Sequence, residues 1–419
     1  MVGTAAAAPG LRLRHVATHL CPAPARSRPR SCPAAAAEHA DGSWEAYRDA
    51  GVRRARALGN RGPLRLSADG SLAADIAASY AEHGFYVFEG VVAIEEIREL
   101  EGELDALLAN APTHRASHHD RHGRPSRFAE HFVLAGSSAR SGSGATPAAT
   151  AAADGVLAPH VGGVSHPLML MDAALRLSGH PLLCAAVEAV HGPDFVPTFD
   201  TMFHKPALVG NATPWHHDGR TFWTADGEPL APRGAPAGAG SPHGSNTSIC
   251  VAEATPESCL WVCPGSQRRR RVPPVAGERV ADAVPAVLRQ GDAVIVNRST
   301  MHGAFANRTA ARRATLILQY NSRTSALGAC DPRNSQSMHR PGESPDAEPP
   351  HPPTDQLPEH LARRARMVAL AIDARRQRFP AERAFVYHGE YRGAGRWNER
   401  SRAEITRPGD EYFRYNVTL

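Results

Sequence analysis

Between Val196 and Asn321 the chain runs in short apolar stretches, each closed by a turn, and this rhythm limits the folds open to it. Val196–Lys205, Ser248–Ala252, Cys259–Cys263, Ala293–Asn297 and Arg312–Asn321 read as strands, with another ending at His216. Thr255-Pro256-Glu257-Ser258, Pro264-Gly265-Ser266 and Gln290-Gly291-Asp292 supply turn residues between them. Helices come first. Ser71 is a candidate cap for a helix from Leu72 to Glu82, and Gly84 is its stop. Phe85–Phe88 reads as a strand, Ile94–Leu108 as a second helix, and His180-Pro181 opens a third that ends at Gly192. Residues 38–66 show no clear pattern. A helical start followed by many short strands predicts a mainly β protein with flanking helices (α+β), built as an antiparallel sandwich or jelly-roll.

With 419 residues the chain can hold one large domain or two modest ones. The low-complexity stretches at 135–165, 225–246 and 340–358 read as loops and a linker. We divide the chain into a targeting segment (1–37), a catalytic jelly-roll (60–330) and a Pro-rich linker with a helical extension (331–419). A helix with a basic side is expected over Leu361–Arg378. The net charge of +5 is mild, and no aromatic residues interleave with basic ones, so nucleic-acid binding is not expected. No apolar run approaches the roughly 20 residues that span a bilayer. Seven scattered Cys show no zinc-type spacing and read as reduced thiols.

Met1 to Ala37 contains no Asp or Glu and carries Arg12, Arg14, Arg26, Arg28 and Arg30 among Ala, Ser and Pro. That composition fits an organelle transit segment. Inside it, Arg12-Leu13, five residues and His19-Leu20 match a type-2 peroxisomal address, which implies an import receptor as partner. Peroxisome is the first expectation; plastid, mitochondrion and cytoplasm are the alternatives.

The chemistry centres on Trp215-His216-His217-Asp218. Residues i and i+2 of a strand share a face, so His216 and Asp218 fall side by side with His217 turned away. Two such ligands are most of a two-histidine, one-carboxylate iron site, which leaves coordination positions open. His302, just beyond the strand Ala293–Asn297, is the candidate third ligand. A rival His-His-Asp at 118–120 lies in a loop with nothing to fix two side chains on one face. Arg313, Thr315, Ile317 and Gln319 share one strand face, so Arg313 can enter the same pocket while Arg312 points the other way. A guanidinium there suits a bidentate grip on a carboxylate. Two His, one Asp and one Arg are what oxygenation with Fe(II) and 2-oxoglutarate requires, with ascorbate as a candidate reductant.

In these same stretches the chain resembles the phytanoyl-CoA dioxygenase-like family of Fe(II)/2-oxoglutarate oxygenases. The resemblance runs from about Leu72 to Ser322: His83-Gly84-Phe85-Tyr86-Val87, His180–Pro193, Lys205-Pro206, Trp215–Asp218, Cys259–Ser266, His302-Gly303, Asn307-Arg308 and Arg313. It implies a double-stranded β-helix (a cupin-like jelly-roll). It further implies Fe(II) on His216, Asp218 and His302, 2-oxoglutarate on Arg313, and hydroxylation of an aliphatic C–H in a small molecule. The 2-position of a branched acyl-CoA is one such target; a small metabolite without CoA, or a metal-binding jelly-roll without turnover, are the alternatives. His217, Ser258 and Gln267 stand where the family usually has Gln, Gly and His, and no aromatic sits near Thr247. Because Asp218 is present, a halogenase is not expected: halide would need that position vacated.

Overall fold

The computed structural model describes residues 43–114, 117–126, 128–135, 160–218, 244–268, 271–274, 278–327 and 358–406. The N-terminal address, most of the three low-complexity stretches and residues 407–419 lie outside them.

Twelve strands are present among the described residues: β1 (Arg61–Gly62), β2 (Phe85–Phe88), β3 (Phe132–Ala135), β4 (His160–Ser165), β5 (Val196–Lys205), β6 (Thr213–His216), β7 (Ser245–Ala252), β8 (Leu260–Val262), β9 (Val284–Ala286), β10 (Ala293–Asn297), β11 (His302–Ala304) and β12 (Arg313–Asn321). Eight form one sheet in the order β1-β2-β10-β7-β12-β5-β4-β3, and four form a second in the order β6-β11-β8-β9. Every pairing except β1 with β2 is antiparallel. The two sheets enclose a cavity between them, lined from both sides, so the expected jelly-roll with flanking helices is the observed fold.

The strand period explains both layers. In β10, Val294 and Val296 enter the apolar cluster between the sheets, while Ala293 and Ile295 join the cluster under the helices. Phe85 and Val87 against Tyr86 and Phe88 divide β2 in the same way. Central strands buried on both faces read as continuous apolar runs, which is why β2 and β10 are legible. Full burial of each such side chain contributes roughly 1.5–3 kcal/mol.

The helices Ala74–His83, Ile94–Ala109 and Pro181–His191 fall close to their expected positions. Ser71 is not the cap of the first. Its hydroxyl is tied to Asp69 at 2.7 Å, and the helix begins two residues after the expected Leu72, with no side-chain cap. Gly84 ends that helix at φ 78°, and a Cβ there would lie 2.3 Å from Thr300 Oγ1, so both conformation and space require glycine.

Two helices exceed what the pattern showed. Trp44–Leu58 lies in the stretch left unassigned; Ser43 caps it, and Gly59 closes it at φ 64°. Its Gly51 rests on Trp261, where a Cβ would come within 2.6 Å of the ring, and Tyr47 stacks on Trp261 at 4.8 Å. Pro358–Arg378 carries arginine on its packed side as well as its basic one. Arg375 is buried and grips Glu96 at 2.6 and 3.1 Å and Glu382 at 2.5 and 2.8 Å, fastening this helix to Ile94–Ala109. No helix among the described residues is long and apolar enough to cross a membrane.

Candidate metal centre

The first and second strands of the small sheet bring two imidazoles together: in the β6–β11 pairing, His302 stands opposite His216. Their ring centres are 4.3 Å apart. Asp218 lies two residues beyond the end of β6. Its Oδ1 lies 3.2 Å from His216 Nε2 and 3.8 Å from His302 Nε2. The three ligand atoms are within 4.8 Å of one another, a separation that one ion can bridge. His217 turns away, as strand alternation requires, and its Nδ1 donates to the Ser299 carbonyl at 2.6 Å.

The imidazoles are set for ligation by the backbone. His216 Nδ1 donates to Pro214 O at 2.8 Å, and His302 Nδ1 donates to Thr300 O at 2.9 Å. Each bond fixes the tautomer that leaves Nε2 as the lone-pair atom. Burial and the adjacent His216 push His302 down to about 4, so that ring is neutral near pH 7. Burial opposes the charge on Asp218, but His302, His216 and Arg298 outweigh it and hold the carboxyl well below its ordinary value. For His216 burial acts downward, and the bond and charge of Asp218 reverse it to a net rise. Two imidazole nitrogens and one carboxylate oxygen, each available for ligation, are a donor set that suits Fe(II).

Arg313 opens β12 and is 6% exposed. Its Nε donates to Thr315 Oγ1 at 3.1 Å, and no carboxylate among the described residues pairs with it. Burial lowers its pKa. It lines the same cavity as His302, of about 430 Å³ including its mouth, with Asn246, Ser248, Leu260, Val296 and Ile317. Arg312 takes the opposite face and pairs with Glu101 at 2.7 Å and with Asp105.

The rival motif and the polar residues around the site serve the scaffold. Asp120 of the rival motif accepts from the backbone of His122 and Arg124 and pairs with the Arg124 side chain, which closes a turn, and among the described residues it belongs to no metal-ligand cluster. Trp215 is buried, donates to Glu278 O and packs against Phe305. Lys205 of the Lys205-Pro206 pair is 4% exposed and donates to Phe305 O at 2.8 Å. Gln267 donates to Ala81 O and Glu82 O at the end of the first helix before β2. Arg271 pairs with Asp282 at the surface, while Arg269 and Arg270 lie outside the described residues. Two residues that pattern did not mark stand next to Asp218. Asn246 Nδ2 donates to its Oδ2 at 2.6 Å, and the buried Arg298 donates from Nη2 to its carbonyl at 2.8 Å.

The sequence pattern of the phytanoyl-CoA dioxygenase (PhyH) family matches residues 80–315, more than half of the chain, a span that includes His216, Asp218, His302 and Arg313. The chain belongs to the phytanoyl-CoA dioxygenase family. It is accordingly a 2-oxoglutarate-dependent dioxygenase that uses Fe(II) as its metal and 2-oxoglutarate as its cosubstrate. Among solved structures, EctD from S. alaskensis with 2-oxoglutarate and 5-hydroxyectoine is similar to this family member at 20% identity. That similarity covers 63% of this chain and 81% of EctD, with a TM-score of 0.45. AviO1 from Streptomyces viridochromogenes Tue57 is similar at 21% identity, over 65% of this chain and 96% of its own, with a TM-score of 0.41. The carbocyclase SnoK from nogalamycin biosynthesis is similar at 18% identity, over 62% and 87%, with a TM-score of 0.41. A search of curated proteins found no match.

Proposed function

We propose that His216, Asp218 and His302 hold one Fe(II), that Arg313 holds the far carboxylate of 2-oxoglutarate, and that the enzyme hydroxylates an aliphatic C–H of a small molecule. The observation that carries this reading is Arg313, a buried cation facing the cavity of His302 with no carboxylate partner among the described residues. A buried charge without a counter-ion is costly, and a dicarboxylate cosubstrate removes that cost. When bound, Fe(II) with 2-oxoglutarate supplies oxidative chemistry of the balance R–H + 2-oxoglutarate + O2 → R–OH + succinate + CO2. The chain's part is to place the reactants. The carbonyls of Pro214 and Thr300 hold both Nε2 atoms toward Asp218. Arg313 orients the cosubstrate, and Leu260, Val296 and Ile317 keep the cavity wall dry.

A branched acyl-CoA oxidised at its 2-position is the first substrate to test, by family. A small metabolite without CoA is the second, favoured by Asn246 and Ser248 on the cavity face of β7, near which the aromatic usual in the family has no counterpart. The experiment is succinate formation from 2-oxoglutarate with Fe(II) and ascorbate, against acyl-CoAs, free acids and small amines, with isotope-labelled dioxygen traced into product. Succinate with label in one class supports the reading and names the class. No succinate with any of them, coupled or uncoupled, points instead to a jelly-roll that binds metal without turnover. We also propose peroxisomal delivery through Arg12-Leu13 and His19-Leu20; a fluorescent fusion that stays peroxisomal after His19→Ala would exclude it.

A further inference from the structure

We infer that Asn246 is a positioning residue that makes Asp218 a one-oxygen ligand. This rests on the metal site proposed above. The two carboxylate oxygens have different surroundings. Oδ1 faces the imidazoles, 3.2 Å from His216 Nε2 and 3.8 Å from His302 Nε2. Oδ2 accepts from Asn246 Nδ2 at 2.6 Å, a short, charge-assisted bond, and lies 3.9 Å from Arg298 Nε, beyond hydrogen-bond distance. The backbone of Asp218 is fixed separately, since its N–H donates to Arg298 O at 2.9 Å and its carbonyl accepts from Arg298 Nη2 at 2.8 Å. Asn246 therefore acts on the rotation of the carboxylate and not on the placement of the residue.

The platform is a strand paired on both sides. Asn246 lies in β7, opposite Val296 of β10 on one side and Gln319 of β12 on the other. Its Oδ1 is buried with no hydrogen-bond partner among the described residues, so the bond to Asp218 is the polar contact its amide makes there. The consequence is coordination number. A carboxylate turned to give both oxygens would take a position that the cosubstrate or co-reactant needs, whereas a tethered Oδ2 keeps it open.

The test uses the metal-free full chain, with Mn(II) alone as the probe of affinity and Co(II) absorption as the probe of coordination. Asn246→Leu removes the donor at similar volume. Asn246→Ala removes it with a smaller side chain and no added charge, and settles the case if the first variant fails to fold. Both should weaken Mn(II) binding roughly 10–100-fold, the range seen when a ligand's hydrogen-bond partner is lost. Both should also change the Co(II) spectrum at saturation while the circular dichroism of the metal-free chain stays that of the wild type. Unchanged affinity, or weaker affinity with an unchanged Co(II) spectrum, overturns the positioning role. A wild-type chain that binds no Mn(II) overturns the metal site itself and leaves Asn246 with nothing to position.

Discussion

Replacing Arg313 with methionine separates its binding role from any structural one. In the ligand-free protein the guanidinium is buried, bonded through Nε to Thr315, and faces no carboxylate among the described residues. Its removal therefore breaks no ion pair there, and an apolar side chain of similar length is expected to leave the thermal midpoint of the ligand-free chain no lower than wild type. With 2-oxoglutarate bound, the same change deletes one partner of a desolvated, hydrogen-bonded charge pair, which costs about 2–5 kcal/mol. At about 1.4 kcal/mol per tenfold, the cosubstrate should bind on the order of 30-fold to several thousand-fold more weakly. The assay is calorimetric titration of 2-oxoglutarate into Mn(II)-loaded protein, beside thermal unfolding with and without cosubstrate. Arg313→Lys keeps the charge but loses the planar fork, and should fall between the two. Binding of 2-oxoglutarate within threefold of wild type in Arg313→Met would refute the assignment of its far carboxylate to this cation.

Three further outcomes are expected. Divalent metal at 100 times its dissociation constant should stabilise the wild type by about 2.7 kcal/mol, and Asp218→Asn should lose most of that shift in thermal unfolding. Burial holds His180 at about 4, with Arg375 adding to the effect, and holds His191 at about 3; both are below the ordinary 6.5. The unfolded chain thus binds more protons below that value, so the stability of the metal-free chain is full above it and falls as the pH drops toward the folded values. His191→Asn should flatten the midpoint-against-pH curve between roughly pH 6.5 and 5, and an unaltered slope would contradict the buried neutral ring. Arg375→Met should destabilise by about 3–5 kcal/mol through the stranded Glu96, and the double change with Glu96→Leu should recover most of it in denaturant unfolding.

The sequence shows most where one residue's chemistry and the strand period coincide. His216, Asp218 and Arg313 could be placed because alternation dictates which neighbour turns inward, and the structure puts His217 and Arg312 on the other side. The central strands were legible because burial on both faces leaves unbroken apolar runs. What stayed hidden was held by contacts that leave no period. Trp44–Leu58 packs through one glycine and two aromatic rings while Arg48, Arg53, Arg54 and Arg56 dilute its stripe; only the Ser43 cap and Gly59 stop mark it. Arg364 and Arg375 are not marked within the basic side expected for Leu361–Arg378, because their carbonyl and carboxylate partners come from distant segments. Asn246 and Arg298 act on Asp218 from 28 and 80 residues away, and no local spacing announces that reach.

Anaerobic Fe(II) titration of the wild type beside single His216→Ala, Asp218→Ala and His302→Ala variants addresses the shared ion most directly. One equivalent per chain should bind to the wild type, with each variant losing affinity by at least tenfold. Retention of full affinity in His302→Ala, with the other two affected, would mean that the two segments do not meet at one ion.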